Sequence, residues 1–563
     1  MKKNLFFPLI ALAAICMFSA CSGKLTPLSS QYVTAEPQPL ESVGGKVPVT
    51  INATFPAKWF NKNAAVTVTP VLRYATGETW GTSYTFQGEK VRANNQLVSY
   101  SSGSNATMRT TFDYKPVMKK SELYLTFDAK IKNKSVQLPD IKIADGVIAT
   151  ADLADAATST PAVGPDKFQR IIKEAYYANI MFLIQQAELR SNELNNNKIS
   201  EWKNIVENAE QSPNQNVSIE ISAYASPDGG VNLNEKLAEK RESNTTNYVE
   251  KELKKRKINI PVDARYTAQD WEGFQELVSK SNLQDKDLVL RVLSMYKDPE
   301  QREREIKNIS TVFKSLAEEI LPQLRRSRLT ANIEIIGKSD EEIKELAKSK
   351  PSSLNVEELL YAATLTDNNS EKETIYTKAT QLFPNDYRGW NNAGVQRYIS
   401  GDYEKAAELF AKSNSIKNNS EANMNLGLLE LLNGNTDKAQ QLLGNVSDVP
   451  VLGEALGLLY LKQGDYAKAV RSFAGSKTNN AALSQILTKD YSAAAQTLNN
   501  VVKPDAITSY LKAIVSARTN DVKSVVSNMR DAIEKDRALA VEAANDLEFA
   551  KYSNDSSFTD LIR

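Results

Sequence analysis

The sequence contains no histidine and only two cysteines among its 563 residues. Without histidine, neither a Ser-His-Asp triad, nor a Cys-His pair, nor a histidine-based metal site is available. Paired carboxylates remain a route to glycan hydrolysis, but the carboxylates are scattered over segments that read as solvated helices, and no pair stands out. We therefore expect no enzyme, no cofactor and no metal.

An excess of charge of one sign is also lacking. Lys and Arg together number 69 against 68 Asp and Glu, a formal net charge of +1. This balance argues against nucleic acid as a partner. Long apolar runs are absent beyond the N-terminus, and a chain of 563 residues exceeds what one hydrophobic core organises, so several domains are expected.

Residues 1–20 have the layout of a secretory signal peptide. Lys2 and Lys3 precede an apolar run that ends at Met17, and a small-residue step follows. The letters FSAC, ending at Cys21, resemble the lipobox of bacterial lipoproteins, whose cysteine becomes the acylated first residue. The resemblance implies lipidation of Cys21 and anchoring to the outer membrane; an ordinary signal peptide with a chance cysteine is the alternative.

The residues after Cys21 predict the side of the membrane. Many lipoproteins of the Bacteroidota that reach the cell surface carry acidic residues after the lipidated cysteine. Here the residues are Ser22, Gly23, Lys24 and Leu25. By that resemblance the protein faces the periplasm. Because Cys16 would leave with the signal peptide, the mature chain is expected to form no intramolecular disulfide.

The next part of the chain predicts a β domain between two connecting segments. Residues 21–45 are rich in Pro, Ser and Gly and read as a flexible tether. Over 46–155, short runs such as VPVTINATF alternate apolar and polar residues between turn residues, which predicts a two-sheet β-sandwich. Residues 156–173, which include AATSTPAVGP, read as a linker.

Residues 174–338 alternate between segments with strand periodicity and segments with helical periodicity. VSIEISAY has strand spacing, a glycine turn and a helix follow, and VDARY and LTANIEII supply further strands. Strands that alternate with helices predict an α/β arrangement with helices packed on one sheet. Between the last two strands, about 267–328, helical apolar spacing around Trp271 and LVLRVL predicts a structured helical insert.

The turn in ISAYASPDGGVNLNEKLAEKR resembles that of the OmpA-like peptidoglycan-binding domain, in the form found in the Bacteroidota. The residues in register with that family are Tyr224, Gly229, Asn234, Leu237 and Arg241. The sequence departs from the family twice, since Ser226 stands in place of Asp and Ala238 in place of Ser. The resemblance covers about 160 residues and implies the fold described above.

The resemblance also implies a ligand, diaminopimelate of peptidoglycan. In that family the aspartate receives the ammonium group and the arginine grips the carboxylate, which here would be Arg241. With Ser226 in place of the aspartate, a neutral hydrogen bond replaces a charge-assisted one. Asp228 is a candidate substitute, or else it caps its own turn. Arg325 and Arg326 either add positive charge to this pocket or form a solvated basic edge.

After a charged linker at 339–353, residues 354–563 repeat a helical pattern. Gly394, Gly427 and Gly457 are 33 and 30 residues apart, and each precedes an Ala and a large residue at fixed offsets. This pattern is similar to tetratricopeptide repeats of about 34 residues, and predicts five or six helical hairpins with a concave binding surface. An apolar or mixed peptide ligand is expected, unless a neighbouring domain covers the groove candidates Asn391, Val395, Tyr398, Met424 and Leu428.

Two functions follow as hypotheses. The first is a periplasmic lipoprotein that tethers the outer membrane to peptidoglycan, with Arg241, Asn234 and Asp228 on the ligand, and scaffolds envelope proteins through its repeats. The second is an adaptor of an outer-membrane assembly or secretion complex that binds no peptidoglycan. Ser226 favours the second hypothesis, and the otherwise intact turn favours the first.

Overall fold

The computed structural model describes residues 25–283 and 285–563, without the side chains of 310–312. The signal peptide and Cys21 lie outside these residues. The chain forms two compact units, which we call the outer unit, up to Pro165 together with Asn368–Arg563, and the inserted unit, Asp166–Asp367. In the described part of the chain, no helix is both long and apolar enough to cross a bilayer.

The sheet-rich N-terminal region is confirmed, and its two sheets enclose one apolar core. The smaller sheet is antiparallel, in the order Val33–Glu36, Lys46–Phe55, Ser104–Asp113. Its central strand buries every second side chain, as the alternation predicts. Leu40–Glu41 and Val147–Ile148 form a separate parallel pair. The larger sheet contains Ala64–Tyr74, Gly77–Trp80, Tyr84–Gly88, Gln96–Val98, Ser121–Ile131, Lys134–Val136 and Ile141–Asp145.

The prediction of a flexible tether over 21–45 is wrong for the residues that the structure describes. Leu25 and Leu28 are buried in the sandwich core, and Val33–Glu36 pairs with Lys46–Phe55. The strand has only four residues and lies among prolines, so its alternation is too short to stand out in the sequence. Pairing satisfies the backbone along one edge of Lys46–Phe55, which explains why the segment is ordered.

The C-terminal part of the outer unit is a solenoid of antiparallel helix pairs, which confirms the tetratricopeptide-type prediction. Its helices from Tyr387–Ile399 onward contribute to one apolar core. The helices are Asn369–Leu382, Tyr387–Ile399, Tyr403–Ile416, Ser420–Leu432, Thr436–Leu443, Leu452–Gln463, Tyr466–Ser472, Asn479–Leu487, Tyr491–Asn499, Ala506–Arg518, Val522–Lys535, Ala538–Ala543 and Ser556–Thr559.

The repeat glycines have the steric role that the pattern predicts. A Cβ atom built on Gly394 would lie 2.6 Å from Cε1 of Phe410, and one on Gly457 would lie 2.6 Å from Cδ2 of Phe473. Both aromatic rings belong to the following helix of the same pair or directly follow it. The two helices therefore approach closely only because the first carries no side chain at the contact.

Replacing Gly394 with alanine is expected to lower the free energy of unfolding of the outer unit by about 2 kcal/mol, because the new methyl group overpacks the ring of Phe410. Urea unfolding of the full chain, followed by hydrogen exchange of solenoid peptides, measures the effect. Adding Phe410→Leu to this variant is expected to recover part of the loss. A Gly394→Ala variant as stable as the wild type would contradict the steric account.

The sandwich and the solenoid, which the sequence predicts as separate domains, form one compact unit. Glu548, near the C-terminal end of the solenoid, is buried, accepts hydrogen bonds from Arg518 at 3.0 and 3.1 Å, and also accepts one from Thr150 of the sandwich. Lys119 of the sandwich pairs with Glu542. Such pairs join residues about 400 positions apart in the chain, a separation at which no sequence pattern operates.

The inserted unit is built on a four-stranded sheet in the order Ile171–Met181, Arg326–Ile336, Gln215–Tyr224, Val262–Thr267. Only the last two strands are parallel, and the helix Val231–Lys255 crosses between them. Ala223 pairs with Ser327, so the start of the final strand lies beside the turn that follows Tyr224. This register brings Arg325 and Arg326 to the turn. The other helices packed near the sheet are Ser191–Leu194 and Asn197–Glu210.

The helical insert occupies residues 271–324, between the strands Val262–Thr267 and Arg326–Ile336. Phe274, Val278, Val289 and Leu293 belong to a small apolar core of its own. The helices are Trp271–Lys280, Lys286–Met295, Pro299–Asn308, Ser310–Ser315, the π-helical turn Leu316–Ile320, and Leu321–Leu324.

Two connecting segments differ from the sequence predictions. The predicted linker at 339–353 contains the helix Asp340–Ser349, capped by Ser339 and packed through Ile343 and Ala347. The helix buries only two apolar residues, four positions apart, among many charged ones. The sequence of this segment therefore resembles a solvated linker. The inserted unit extends to Asp367 with the helix Val356–Ala362, so the predicted start of the repeats at 354 is too early. The predicted linker 156–173 is also wrong at its end, since Ile171–Met181 is a strand.

Candidate functional site

The turn after the strand Gln215–Tyr224 is held in shape by side-chain amides. Asn234 donates through Nδ2 to the carbonyl oxygens of Ser226 at 3.0 Å and Gly229 at 2.9 Å. Gln269 donates to the same Gly229 carbonyl at 2.8 Å. Asn234 is buried in the first turn of the helix Val231–Lys255. Its amide donor group is therefore used on the backbone of the turn, and Asn234 acts as a shaping residue.

Arg241 lies beneath this turn and is fully buried, with 0% of its surface exposed. Its guanidinium donates to three backbone carbonyls, from Nε to Gln186 at 2.9 Å, from Nη1 to Tyr224 at 2.8 Å, and from Nη2 to Leu183 at 3.2 Å. The group also lies 4.9 Å from the centre of the Phe182 ring. Burial, followed by the positive charge of Arg325, lowers the pKa of Arg241 to about 10.

The carboxylate of Asp228 is committed to two neighbours. Arg325 donates to it from Nη2 at 3.2 Å, and the hydroxyl group of Ser226 donates to its other oxygen. Arg325 also donates from Nε to Ser226 Oγ at 3.3 Å. The exposed fractions of the Arg325 and Asp228 side chains are 12% and 16%. Ser226, Asp228 and Arg325 thus close a triangle of hydrogen bonds over the turn.

Arg326 points to a different carboxylate. It donates from Nη2 to Asp270 at 2.8 Å and from Nη1 to the carbonyl of Gln323 at 2.9 Å, and its guanidinium lies 4.9 Å from the centre of the Tyr224 ring. Burial raises the pKa of Asp270 and lowers the pKa of Arg326. Asp270 also caps the first helix of the insert. Arg326 therefore fastens the insert to the sheet.

The insert also restricts the space beside the turn. Pro227 and Asp228 border a cavity of about 10 Å³ together with the insert residues Trp271 and Phe274. A cavity of this size holds about one water molecule. The six residues predicted from the turn and from LRRSR do come together, in a closed network whose charged groups are already engaged. Ser226, Asp228, Asn234 and Arg325 are joined by hydrogen bonds, whereas Arg241 bonds to backbone carbonyls and Arg326 to Asp270. Asp270, Gln269 and Phe182 complete this network, and the fold brings them to it from other segments of the chain.

The predicted groove residues of the solenoid are all buried. Val395, Met424 and Leu428 belong to the apolar cluster that also contains Tyr398, Ala154, Ala156 and Ala162. Their lining of the groove stays a prediction. Asn391 and Tyr398 face the residues 154–165, which we call the strap. The prediction of a linker beginning at 156 is therefore also wrong, because the strap is seated on the solenoid.

The strap is held mainly through its backbone. Asn391 and Asn425 both donate to the carbonyl oxygen of Ala162, at 2.9 and 2.8 Å, and Asn425 accepts from its N–H at 2.7 Å. Asn392 accepts from the N–H of Gly164 at 2.7 Å and donates to its carbonyl at 2.8 Å. The side chains involved are buried, so these bonds are shielded from water.

The same pattern recurs at the other end of the strap. Asn480 accepts from the N–H of Asp155 at 3.1 Å and donates to its carbonyl at 2.8 Å. The hydroxyl group of Tyr398 donates to the carbonyl of Ala156, and Lys462 donates to that of Ala154 at 3.1 Å. The sequence carries a signal for part of this set, because Asn391 and Asn425 are 34 residues apart, one repeat length.

Comparison with known proteins gives weak likenesses only. No protein-family model matches the sequence, and no curated protein matches it. A solved structure of the APC/C hetero-tetramer Cut9-Hcn1 aligns with 16% identity over 39% of this chain and 44% of that chain, at a TM-score of 0.30. A tetratricopeptide repeat protein from Parabacteroides merdae aligns with 15% identity over 40% and 89%, at 0.28. Yeast Tom70 aligns with 13% identity over 58% and 77%, at 0.25.

The class of the C-terminal region therefore follows from its own geometry. Antiparallel helix pairs, glycines at the close contacts and a repeat of about 34 residues define a tetratricopeptide-type solenoid. The chain combines this solenoid with a β-sandwich in one unit and with an α/β unit inserted between them in sequence.

Proposed function

We propose that this protein is a non-enzymatic lipoprotein, anchored through Cys21 to the periplasmic side of the outer membrane, that scaffolds envelope proteins through its solenoid. In this proposal the inserted unit is OmpA-like in fold and serves as a structural module without binding peptidoglycan. The observation that carries the proposal is the complete burial of Arg241 and its three bonds to backbone carbonyls.

A diaminopimelate ligand would need two free charges at the turn. Its carboxylate would draw Arg241 away from the three backbone carbonyls that now accept its charge-assisted hydrogen bonds. Its ammonium group would compete with Arg325 for Asp228, an ion pair that is largely shielded from water. Breaking a buried ion pair costs about 3–5 kcal/mol. The closed network therefore supports the adaptor hypothesis over the wall-anchor hypothesis.

The envelope location rests on the sequence of the N-terminus. The charged start, the short apolar run and the lipobox-like FSAC segment together support export and lipidation. A solenoid supports the scaffold role because such arrays present extended surfaces to other proteins. The absence of histidine removes the commonest general base and metal ligand from the whole sequence.

Sedimentation with isolated peptidoglycan sacculi tests the first part of the proposal. We expect residues 22–563 to stay in the supernatant under conditions in which an intact peptidoglycan-binding OmpA-like domain is pelleted. The Ser226→Asp and Arg325→Ala variants test whether a restored or released carboxylate opens the site, and we expect neither to pellet. Wild-type protein that pellets and is released by free diaminopimelate would instead establish wall binding at this site.

Crosslinking tests the scaffold part. A photoreactive amino acid at Val541 or Val502, which are 67% and 82% exposed on the outer unit, should give discrete adducts with envelope proteins in cells. The same probe at the exposed Trp80 of the sandwich is a matched control for surface exposure. The absence of any adduct from the solenoid positions would count against a scaffold function.

A further inference from the structure

We infer that the groove of the solenoid is a binding site for extended peptides with small side chains, and that the strap, residues 154–165, is its intramolecular occupant. A partner segment of the same chemistry would bind by replacing the strap. The inference rests on the proposed scaffold function, because it names the class of partner that the solenoid takes. It does not depend on the membrane anchor or on the inserted unit.

The recognition is built from a repeated chemical unit. A carboxamide presents one acceptor and two donors, so a single Asn side chain can pair with both the N–H and the C=O of one residue. Asn480, Asn392 and Asn425 each do this, at Asp155, Gly164 and Ala162. Because these bonds contact only backbone atoms, they hold an extended chain without requiring a particular sequence.

Selectivity comes from the space around the side chains. The buried residues of the strap are Ala154, Ala156, Ser159, Pro161, Ala162 and Gly164, whereas Asp155, Ala157 and Val163 are exposed. A Cβ atom on Gly164 would lie 3.1 Å from Cγ of Arg388. The ligand pattern is therefore Ala, Ser, Pro or Gly at the inward positions, with glycine at the last of them, and free choice at the outward positions. Burial alternates at 154–157 and again at 162–164, as in extended backbone. A turn lies between these stretches, where the N–H of Ser159 donates to the carbonyl of Ala156 at 3.0 Å.

The strap is suited to exchange with a partner segment. Its inward side chains are small, so it buries little apolar surface, and most of its attachment comes from hydrogen bonds that water or another peptide can replace. Its covalent connections at both ends keep its effective concentration near the groove in the millimolar range. A partner therefore competes when it presents the same pattern together with a second contact elsewhere on the scaffold.

A variant with an emptied groove tests the inference directly. Ala156→Glu, Ala162→Glu and Gly164→Glu, combined in the full mature chain, place bulky charged groups at three inward positions and should expel the strap. A fluorescently labelled peptide with the sequence of residues 152–167 is then titrated, with fluorescence anisotropy as the readout. We expect the emptied variant to bind the peptide roughly tenfold or more tightly than the wild type does.

Matched variants identify the site. Adding Asn391→Ala and Asn425→Ala to the emptied variant should weaken binding roughly tenfold or more, whereas adding Asn528→Ala, which is outside the strap contacts, should have no effect. A peptide that carries Ala162→Glu should not bind. An emptied variant with wild-type helical circular dichroism that fails to bind the peptide would overturn the inference, as would binding that is insensitive to Asn391 and Asn425.

Hydrogen exchange on the wild type keeps the inference testable if the emptied variant fails to fold. The amides of Ala162 and Gly164 should exchange through local release of the strap, roughly tenfold or more faster than the most protected solenoid amides. Exchange of these amides only on global unfolding would mean that the strap is a permanent part of the core, which overturns the inference. The crosslinking test of the scaffold function does not depend on the outcome of this exchange experiment.

Discussion

Replacing Arg241 with alanine is expected to destabilise the inserted unit by about 4 kcal/mol. The substitution removes three charge-assisted hydrogen bonds to the carbonyls of Gln186, Tyr224 and Leu183 and leaves a void where the fully buried side chain was. It also removes the contact between the guanidinium and the ring of Phe182. The turn and the segment after the first strand of the sheet should therefore loosen together.

Hydrogen exchange of the full chain measures this loss, because peptides from the inserted unit report its stability separately from that of the outer unit. Arg304→Ala is the matched control, since Arg304 is an exposed arginine in the helical insert, and it should change stability by less than about 0.5 kcal/mol. Arg241→Lys should be nearly as damaging as Arg241→Ala, because an ammonium group cannot reproduce the planar fork. A stable Arg241→Ala variant would mean that Arg241 does not stabilise the fold and is available to bind a ligand.

Replacing Glu548 with alanine is expected to destabilise the outer unit by about 4 kcal/mol, because it leaves the charge of Arg518 buried without its partner. The side chains of Glu548 and Arg518 are only 3% and 15% exposed. The substitution also removes the acceptor that Thr150 of the sandwich uses, so the contact between the sandwich and the end of the solenoid should weaken.

The double variant Glu548→Leu with Arg518→Leu separates the two contributions. Replacing both charges with apolar groups of similar length avoids an unpaired charge, and should cost much less than Glu548→Ala alone. Urea unfolding followed by circular dichroism, with hydrogen exchange of peptides around Thr150, gives both readouts. Equal losses in the single and the double variants would show that the pair itself, and not the unpaired charge, provides the stability.

The turn after Tyr224 and the groove of the solenoid differ in how much of each could be predicted from the sequence. At the turn, the motif register predicts that Asn234, Arg241, Asp228 and Ser226 come together, and they do. Whether these charged groups are free or already paired could not be predicted, because it depends on Asp270, on the insert and on the pairing of Ala223 with Ser327. A resemblance gives the positions of charged groups, but neighbours from distant segments determine which of those groups remain free.

At the solenoid, the helices and their close contacts could be predicted because they depend on local spacing. Glycine and a large residue at fixed offsets constrain a helix pair whatever lies around it. The occupant of the groove could not be predicted from AATSTPAVGP, whose small residues and prolines are typical of a linker. Only the positions of Asn391, Asn425 and Asn480 along the stacked repeats turn that segment into a bound peptide.

By itself, therefore, the sequence determined the alternating strands, the helical repeats and the register of the turn, since each of these depends on residues no farther apart than about one repeat length. The tertiary structure alone decided that the sandwich and the solenoid form one unit, that the strap fills the groove, and that Arg241 is enclosed. Those outcomes depend on burial and on pairs such as Thr150 with Glu548, whose partners are separated by most of the chain.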